Sequence, residues 1–564
     1  NRNTPGGNMK RKLKIVSAAA VLVTLAVFFT MSFAQSSGDS IYSLVKLSSD
    51  IAFKINARYV DDLDIKDLVY SGIRGMIDKL DPFSEFLEKR DFDHLMEATS
   101  GKYSGLGMTI FLKDDWVTVV APMEGTPAYR MGLRAGDRIV RIDGSATKGM
   151  STQEASKLMR GEAGTEVTLT IEREGMDEPL EYTIERAVIT IKMVPFAGVI
   201  EENDQRIGYI RLARFGEEAD NELEEAIEQV KGQNVDGLIF DLRSNGGGLL
   251  NQAVKVANHF LPKGSEVVYT KGRNSDQNRS HYATSDADVP EIPIVVLVNE
   301  MSASASEIVA GAIQDSDRGV IVGNTTFGKG LVQQIYRLTE GAALKLTTAK
   351  WYVPSGRCIQ KDERSTRHPE ELTEADSAAT DSSSLEVFYT KGGRVVYGGG
   401  GIVPDIEVVR PKLSSMDINL DRLSMFFDFS ITYTTEHPDL PENFEVTDEM
   451  LSEFKDFLRD KEFTFKSTLD KEFEDFRKAV EDDGDEEDFA EQLASLERLI
   501  DHDKSKEFDR NIDYIKRGIK RDMLTRLHGE SAVYEQIVLK TDPYVMKAVE
   551  ILSSPEEYAG ILGG

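Results

Sequence analysis

The chain holds a single cysteine, Cys358, in 564 residues. One thiol closes no intrachain disulfide, and it excludes a multi-cysteine zinc site or a cysteine-ligated cluster. Histidine is almost as scarce. Seven are scattered along the chain and no His-Glu-x-x-His occurs, so neither a metal nor any other cofactor is expected. Positive charge is also short: 67 Lys and Arg face 97 Asp and Glu, a net charge of −30. Phosphate binding needs a basic footprint, so nucleic acid is not an expected partner. There is no internal repeat, no Gly-x-Ser-x-Gly elbow, and no glycine-rich loop followed by Gly-Lys-Ser/Thr. The remaining composition, 40% apolar and 29% charged, is that of globular domains. At ~150 residues per domain the length suggests roughly three or four of them.

Residues 1–8 precede Met9 and read as an upstream extension outside the fold. Lys10, Arg11, Lys12 and Lys14 then lead into an almost wholly apolar run from Ile15 to Phe33, with small residues at Ser32 and Ala34. This pattern predicts a secretory signal over 9–34, cut after Ala34. The run also approaches the ~20 residues that span a bilayer, so a retained membrane anchor is the other reading. Both place the rest of the chain outside the cytoplasm, in the periplasm or cell envelope. No cysteine lies near the cut, which excludes a lipoprotein anchor.

Four regions follow. Residues 35–98 carry helical periodicity, with Leu44, Leu47, Ile51 and Ile55 three or four apart. Ser43 and Lys46 match Ser-x-x-Lys, but no Ser-Asp-Asn or Lys-Thr-Gly accompanies them, and they read as part of a packing helix. Residues 99–188 turn to strands: GKYSGLGMTIFLKDDWVTVVAP predicts two joined by a polar turn, and 165–174 alternates with period two. Residues 189–412 alternate strand and helix. The strands are expected at 206–212, 235–243, 292–300 and 318–323, apolar enough to be buried on both faces. Two polar stretches, 271–289 and 361–384, read as exposed loops or a mobile cap. Residues 413–564 are helical and acidic, and 441–510 alone hold 25 acidic and 11 basic residues. The charge run at 481–488 reads as a solvated linker between helices.

Within 99–188, Gly105-Leu106-Gly107-Met108 precedes a strand, and GTPAYRMGLRAGDRIVRIDG (125–144) precedes a helix. Glycines there let successive N–H groups converge on a chain-terminal carboxylate, while the next strand accepts a peptide as an added strand. Alone, Gly-x-Gly is also what a tight turn needs. With its neighbours, the stretch resembles a PDZ domain of the circularly permuted kind found in bacterial proteases.

Chemistry concentrates in 189–412. In DLRSNGGGLL (241–250) a buried strand runs into Gly246-Gly247-Gly248, which allows N–H groups to approach an anion. In NEMSASASEIVAGAIQD (299–315), Ser304 either caps a helix with Glu307 or presents a nucleophilic hydroxyl at a helix N-terminus, where negative charge is stabilised. In NTTFGKGLVQQIYRL (324–338), Lys329 lies between two glycines. In an extended strand it shares a face with Leu331 and Gln333. No histidine occurs in these segments, so a Ser-Lys dyad is the remaining logic. Its lysine must be lowered from ~10.4 by ~3 units, about 4 kcal/mol of environmental bias, to accept the serine proton. Burial beside Phe327 and Leu331 is the expected source.

Together these motifs, with WYVPSGRCIQ and GGIVPDI, resemble the carboxy-terminal processing proteases, the tail-specific serine proteases of peptidase family S41, over about 41–412. The resemblance implies a multidomain α/β chain. A PDZ domain and an α/β protease core of crotonase/ClpP-like type are flanked by N- and C-terminal helical regions. It makes Ser304 the nucleophile, Lys329 the base and Gln333 the residue that positions the lysine. Backbone N–H groups of Ala305, Gly246 and Gly247 form the oxyanion hole. Asp315 supports the site or merely ends a helix; Arg160 couples the PDZ domain to the site or is simply a helix-end cation. Substrates are proteins with apolar C-terminal tails. An activator or adaptor protein and a homo-oligomeric assembly are further expectations. Where the family usually has a glycine before the serine run, this chain has Met301. Two rival readings remain: a latent or non-catalytic PDZ scaffold that only binds tails, and an acyl-CoA enzyme of the crotonase type. An exported chain argues against the second, because CoA is a cytoplasmic cofactor.

Overall fold

The computed structural model describes residues 41–563 apart from 203, 290–291, 362–385, 411 and 485. The segment 9–34 and all but the first residue of 361–384 therefore lie outside the described residues. The chain divides into two compact units. In the first, a helix over 41–58 is followed by the helix Ile65–Ile77, whose N-terminus is capped by the Asp64 carboxylate on the Lys66 N–H at 2.8 Å. The strand Glu85–Leu87 of this unit pairs antiparallel with residues 343–345. Among the described residues no helix is long and apolar enough to cross a membrane.

The second unit opens with α1 (Lys89–Ser100) and the strands β1 (Lys102–Gly105), β2 (Met108–Lys113), β3 (Trp116–Pro122) and β4 (Arg138–Ile142). Then come α2 (Thr152–Met159), β5 (Glu166–Glu172), β6 (Leu180–Glu185) and β7 (Ala187–Thr190). Strands β2 to β6 form an antiparallel sheet in that order, so β2 is an edge strand. Asp114 and Asp115, with φ of 47° and 63°, make the two-residue turn between β2 and β3, the left-handed pair that matches strand twist. The expected two strands and polar turn are there.

The next layer comprises β8 (Phe196–Glu202), β9 (Gln205–Arg211), α3 (Ala219–Lys231), β10 (Gly237–Asp241) and α4 (Leu250–Asn258). It continues with β11 (Ile294–Val298), α5 (Ala305–Asp315), β12 (Val320–Gly323) and β13 (Ile406–Glu407). They build a six-stranded sheet in the order β8 to β13, antiparallel between β8 and β9 and parallel from β9 onward. Strands β10, β11 and β12 are buried at every residue, because their apolar runs are covered on both faces and Asp241, which ends β10, is paired with Arg211 and Arg243. Helices α3, α4 and α5 cover one face, with Leu223, Val256 and Ile308 in the same core as Phe240 and Val296.

The other face is covered from far down the chain. Among the C-terminal helices are α6 (Met425–Glu436), α7 (Ile512–His528) and α8 (Pro543–Leu552). Val545, Ala548, Val549 and Leu552 of α8 pack with Ile239, Val295 and Val322 of the sheet. Helix α8 is thus a layer of the α/β core.

Two expectations are corrected. The polar stretch 271–289 holds a hairpin rather than only a loop: Glu266–Gly272 pairs with Arg279–Tyr282 across a short 3₁₀ turn. Its polar composition reflects side chains that face water along the second strand. The charge run 481–488 is no linker but mostly helical: it ends the helix Thr468–Asp483, stopped by Gly484 at φ 78°, and begins the helix Glu486–Lys504.

Candidate active site

Strands β10, β11 and β12 are parallel neighbours, so the loops leaving their carboxyl ends emerge side by side. In open α/β sheets that edge is where ligands bind. Here those loops carry Gly246–Gly248, Ser304 and Lys329, motifs as much as 83 residues apart in sequence.

Polar residues beside each motif stitch the loops together. Asn299 accepts the Ser244 N–H at 2.7 Å and donates to the Ser244 hydroxyl at 3.0 Å. The Ser302 hydroxyl donates to Leu242 O at 2.9 Å, and the Ser306 hydroxyl to Asn245 O at 2.8 Å. The Phe327 N–H donates to Ser302 O at 3.0 Å. Gly247 lies at φ 93°, and a Cβ there would stand 2.6 Å from Ala303 O and 2.9 Å from the Ser304 Cβ. Only glycine lets this turn lie against the serine.

Ser304 is half-buried and precedes the buried helix α5 with φ 56° and ψ −111°. That is the conformation of the first central residue of a type II′ turn, normally a glycine position. A serine held there is a strained residue of the kind found at reacting centres. Ser304 and Glu307 form a capping box at the head of α5. Met301 keeps a negative φ and is 60% exposed, so the turn does not need the glycine it replaces.

Glu307 organises the site. It is fully buried, and one carboxylate oxygen accepts the Ser304 N–H at 2.7 Å and the Lys329 N–H at 3.0 Å. The other accepts the Thr326 hydroxyl and the Gly328 N–H, each at 2.6 Å. Burial pushes this carboxyl above its usual range, against the hydrogen bonds that favour its charged form. In the sequence Glu307 shows only as half of a capping box, and Asn245, Asn299 and Thr326 carry no role. The available signal was a polar residue directly flanking each small-residue motif.

The expected site residues fall as follows. Ser304 and Lys329 are tied together through their backbones. Lys329 is half-buried and lies in the loop before the strand Leu331–Arg337, so the shared-face argument holds for Leu331 and Gln333 only. Of the apolar neighbours expected to bury the lysine, Leu331 is buried but Phe327 is 40% exposed. The Gly247 N–H is already held by Asn245 Oδ1 at 3.0 Å. That leaves the N–H of Gly246 and of Ala305, the first helical residue, whose N–H has no partner within its helix. Asp315 ends α5, about 16 Å along the helix from Ser304 at ~1.5 Å per residue. There it pairs with the fully buried Arg357 of WYVPSGRCIQ at 2.7 Å and takes the Ser355 N–H at 2.9 Å. It anchors the back of the site and does not reach the serine.

In the antiparallel domain, Leu106 is buried in the core and Gly107 lies at φ 76°. Their carbonyls are occupied: Leu106 O by the Ala128 N–H at 2.9 Å, Gly107 O by the Met123 N–H at 2.9 Å and the Thr126 hydroxyl at 2.8 Å. Met108 and Ile110 of the edge strand β2 pack on the same core as Ala155 and Met159 of α2. Arg160 caps α2; its guanidinium pairs with Glu97 of α1 and lies 5.0 Å from the Tyr103 ring centroid.

Comparison with known proteins agrees with these domains. The model for peptidase family S41 matches residues 206–365, which contain Ser304, Lys329 and Gln333. A PDZ model matches 118–173, and the C-terminal helical domain of a probable PDZ-protease matches 416–552. A carboxy-terminal-processing protease of Bartonella bacilliformis is 39% identical over 356 residues, 62% of this chain and 81% of the relative. The carboxy-terminal processing protease CtpA of Bacillus subtilis is 34% identical over 364 residues, 63% of this chain and 76% of the relative. A solved photosystem II D1 C-terminal processing protease is 34% identical, covering 55% of this chain and 83% of its own, with a TM-score of 0.34. The chain belongs to the carboxy-terminal processing serine proteases of peptidase family S41. It joins a PDZ domain and an S41 protease domain to a helical C-terminal domain.

Proposed function

We propose that the protein is an endopeptidase that uses a Ser304–Lys329 dyad on substrates whose apolar C-terminal tails its PDZ domain captures. The observation that carries this reading is the strained Ser304 at the head of a buried helix, joined through Glu307 to the backbone of Lys329. A neutral Lys329 amine takes the Ser304 proton as Oγ attacks the scissile carbonyl carbon. The N–H groups of Gly246 and Ala305 receive the oxyanion. Collapse breaks the C–N bond, and the lysine returns the proton to the leaving amine. Water, deprotonated by the same lysine, then releases the acyl group and restores the serine. Gln333 orients the lysine.

Edge strand β2, with α2 alongside, offers the groove in which a tail adds as a strand, and the Gly105–Met108 loop meets its carboxylate. Export to the periplasm or cell envelope is the reading of residues 9–34. A homo-oligomer and an activator or adaptor protein belong to the same proposal, supported by the exposed Leu44, Leu47 and Ile51 of the helix over 41–58.

The test is cleavage of an unstructured reporter bearing an apolar C-terminal tail. Ser304→Ala should abolish cleavage, a loss of at least ~10³-fold, and leave tail binding intact. Amidating the tail should weaken cleavage by wild type. Retained cleavage by Ser304→Ala sinks the nucleophile assignment. An amidated tail cleaved as well as the free one sinks carboxylate capture.

A further inference from the structure

Helix α8 meets the catalytic loops as well as the sheet. Its capping residue Asp542 accepts two hydrogen bonds from Arg243, at 2.8 and 3.0 Å. Arg243 lies three residues before Gly246 and is also held by Asp241, at 2.6 Å to one carboxylate oxygen. Two residues on, Tyr544 is 4% exposed, its ring 4.9 Å from the Arg243 guanidinium. The Tyr544 hydroxyl donates to Asn324 Oδ1 and accepts from Arg410 Nε at 2.6 Å. Asn324 lies five residues before Lys329. Arg410 in turn reaches Glu300, four residues before Ser304, at 2.8 Å. The segments entering all three catalytic motifs therefore converge on one corner of the C-terminal domain.

A helix needed only to cover the sheet has no use for a buried hydroxyl at this corner. A buried phenol must keep partners, and these partners fix where three loops begin. The same domain supplies a contrast at the opposite end of the strands. There the Tyr558 hydroxyl bonds Ile294 at the start of β11, accepting its N–H at 3.0 Å, where no catalytic loop leaves.

We propose that Asp542 and Tyr544 are positioning residues for the protease reaction: the C-terminal helical domain sets the entry points of the glycine turn, the serine turn and the lysine loop. The inference rests on the reading of Ser304 and Lys329 as the reacting groups. Neither Asp542 nor Tyr544 touches substrate; both act through Arg243, Arg410 and Asn324.

The experiment compares Tyr544→Phe with Tyr558→Phe in the full chain. Each removes one hydrogen-bonded hydroxyl from the same domain. Hydrogen exchange of the backbone over 296–304 and 322–330 reports loop position without reference to the chemistry. Labelling of Ser304 by a fluorophosphonate probe, with kcat and KM on the tailed reporter, reports the reaction. Tyr544→Phe should speed exchange in both segments, slow labelling and lower kcat roughly tenfold, and leave KM unchanged. Tyr558→Phe should lower Tm and leave kcat as in wild type. If Tyr544→Phe does not fold, Asp542→Asn keeps the helix cap but loses the Arg243 ion pair. It should loosen 243–248 with the same kcat signature. Unchanged exchange in the Tyr544→Phe loops overturns the inference whatever the chemistry, as does an equal fall in kcat for Tyr558→Phe. Wild type that takes no label overturns the serine reading, and the inference with it.

Discussion

Two glycine loops in this molecule read alike in sequence and are built differently. Gly105–Met108 and Gly246–Gly248 each suggest N–H groups turned toward a negative charge. In the first, the carbonyls are pinned by Met123, Thr126 and Ala128, all of the same domain. The three atoms nearest a Cβ at Gly107 all belong to the Thr126 side chain. In the second, Gly247 leans on the backbone of the serine turn, one of its N–H groups serves Asn245, and its entry is held by Arg243. The first loop is locally self-sufficient; the second is defined by distant segments that must all be in place. Effects of mutation should therefore stay local in the first and spread in the second.

Gly247→Ala breaks the comparison hardest. A Cβ 2.6 Å from Ala303 O meets backbone that cannot yield, at a φ of 93°. The expected result is a loss of kcat of ~10²-fold or more, with tail-peptide affinity unchanged, measured by steady-state kinetics and peptide titration. Gly107→Ala is the mirror case. Its Cβ would stand 2.4 Å from Thr126 side-chain atoms. Tail affinity should fall roughly tenfold while kcat at saturating substrate is kept, and adding Thr126→Gly, which removes the Thr126 Cβ as well, should restore part of it, because strain of about 1 kcal/mol from the positive φ remains. A fall in kcat with unchanged affinity would dissolve the distinction between the loops.

The last effect concerns pH and stability rather than turnover. Burial alone would raise the Asp241 carboxyl, but Arg243 and Arg211 outweigh it and hold it down to about 2. A depressed carboxyl contributes stability above its unfolded value of ~3.9 and loses it as pH falls through about 2. Urea unfolding between pH 5 and pH 2 should show wild type losing on the order of 2 kcal/mol more than Asp241→Asn across that window. Parallel slopes would remove Asp241 from the account of how the reacting loop is held.

Much of this was legible in the chain. Runs such as IVVLV announce strands buried on both faces, because only covered parallel strands tolerate five apolar residues in succession. SASAS and GGG announce close backbone approach, because small residues are what it requires. Glu307 was masked by a second plausible role, since a glutamate three residues after a serine caps helices everywhere. Asp542 and Tyr544 carry no local signal at all. They matter through Arg243 and Asn324, more than 200 residues away, and sequence periodicity has no term for such pairs. The second strand of the hairpin at 266–282 was hidden because a polar, exposed strand lacks the alternation that marks half-buried ones.

That α8 forms the second face of the central sheet has a consequence for how the protein is made. Strands β9 to β12 leave the ribosome early, and the helices of their first face emerge interleaved with them. Their other face is an apolar surface whose helical cover comes from residues 534 onward. At ~5–20 residues per second, the 220 residues between β12 and α8 take roughly 10–45 seconds. Through that interval the nascent chain carries its catalytic motifs on an unfinished sheet. The second face of the central sheet is thus completed only near the end of synthesis.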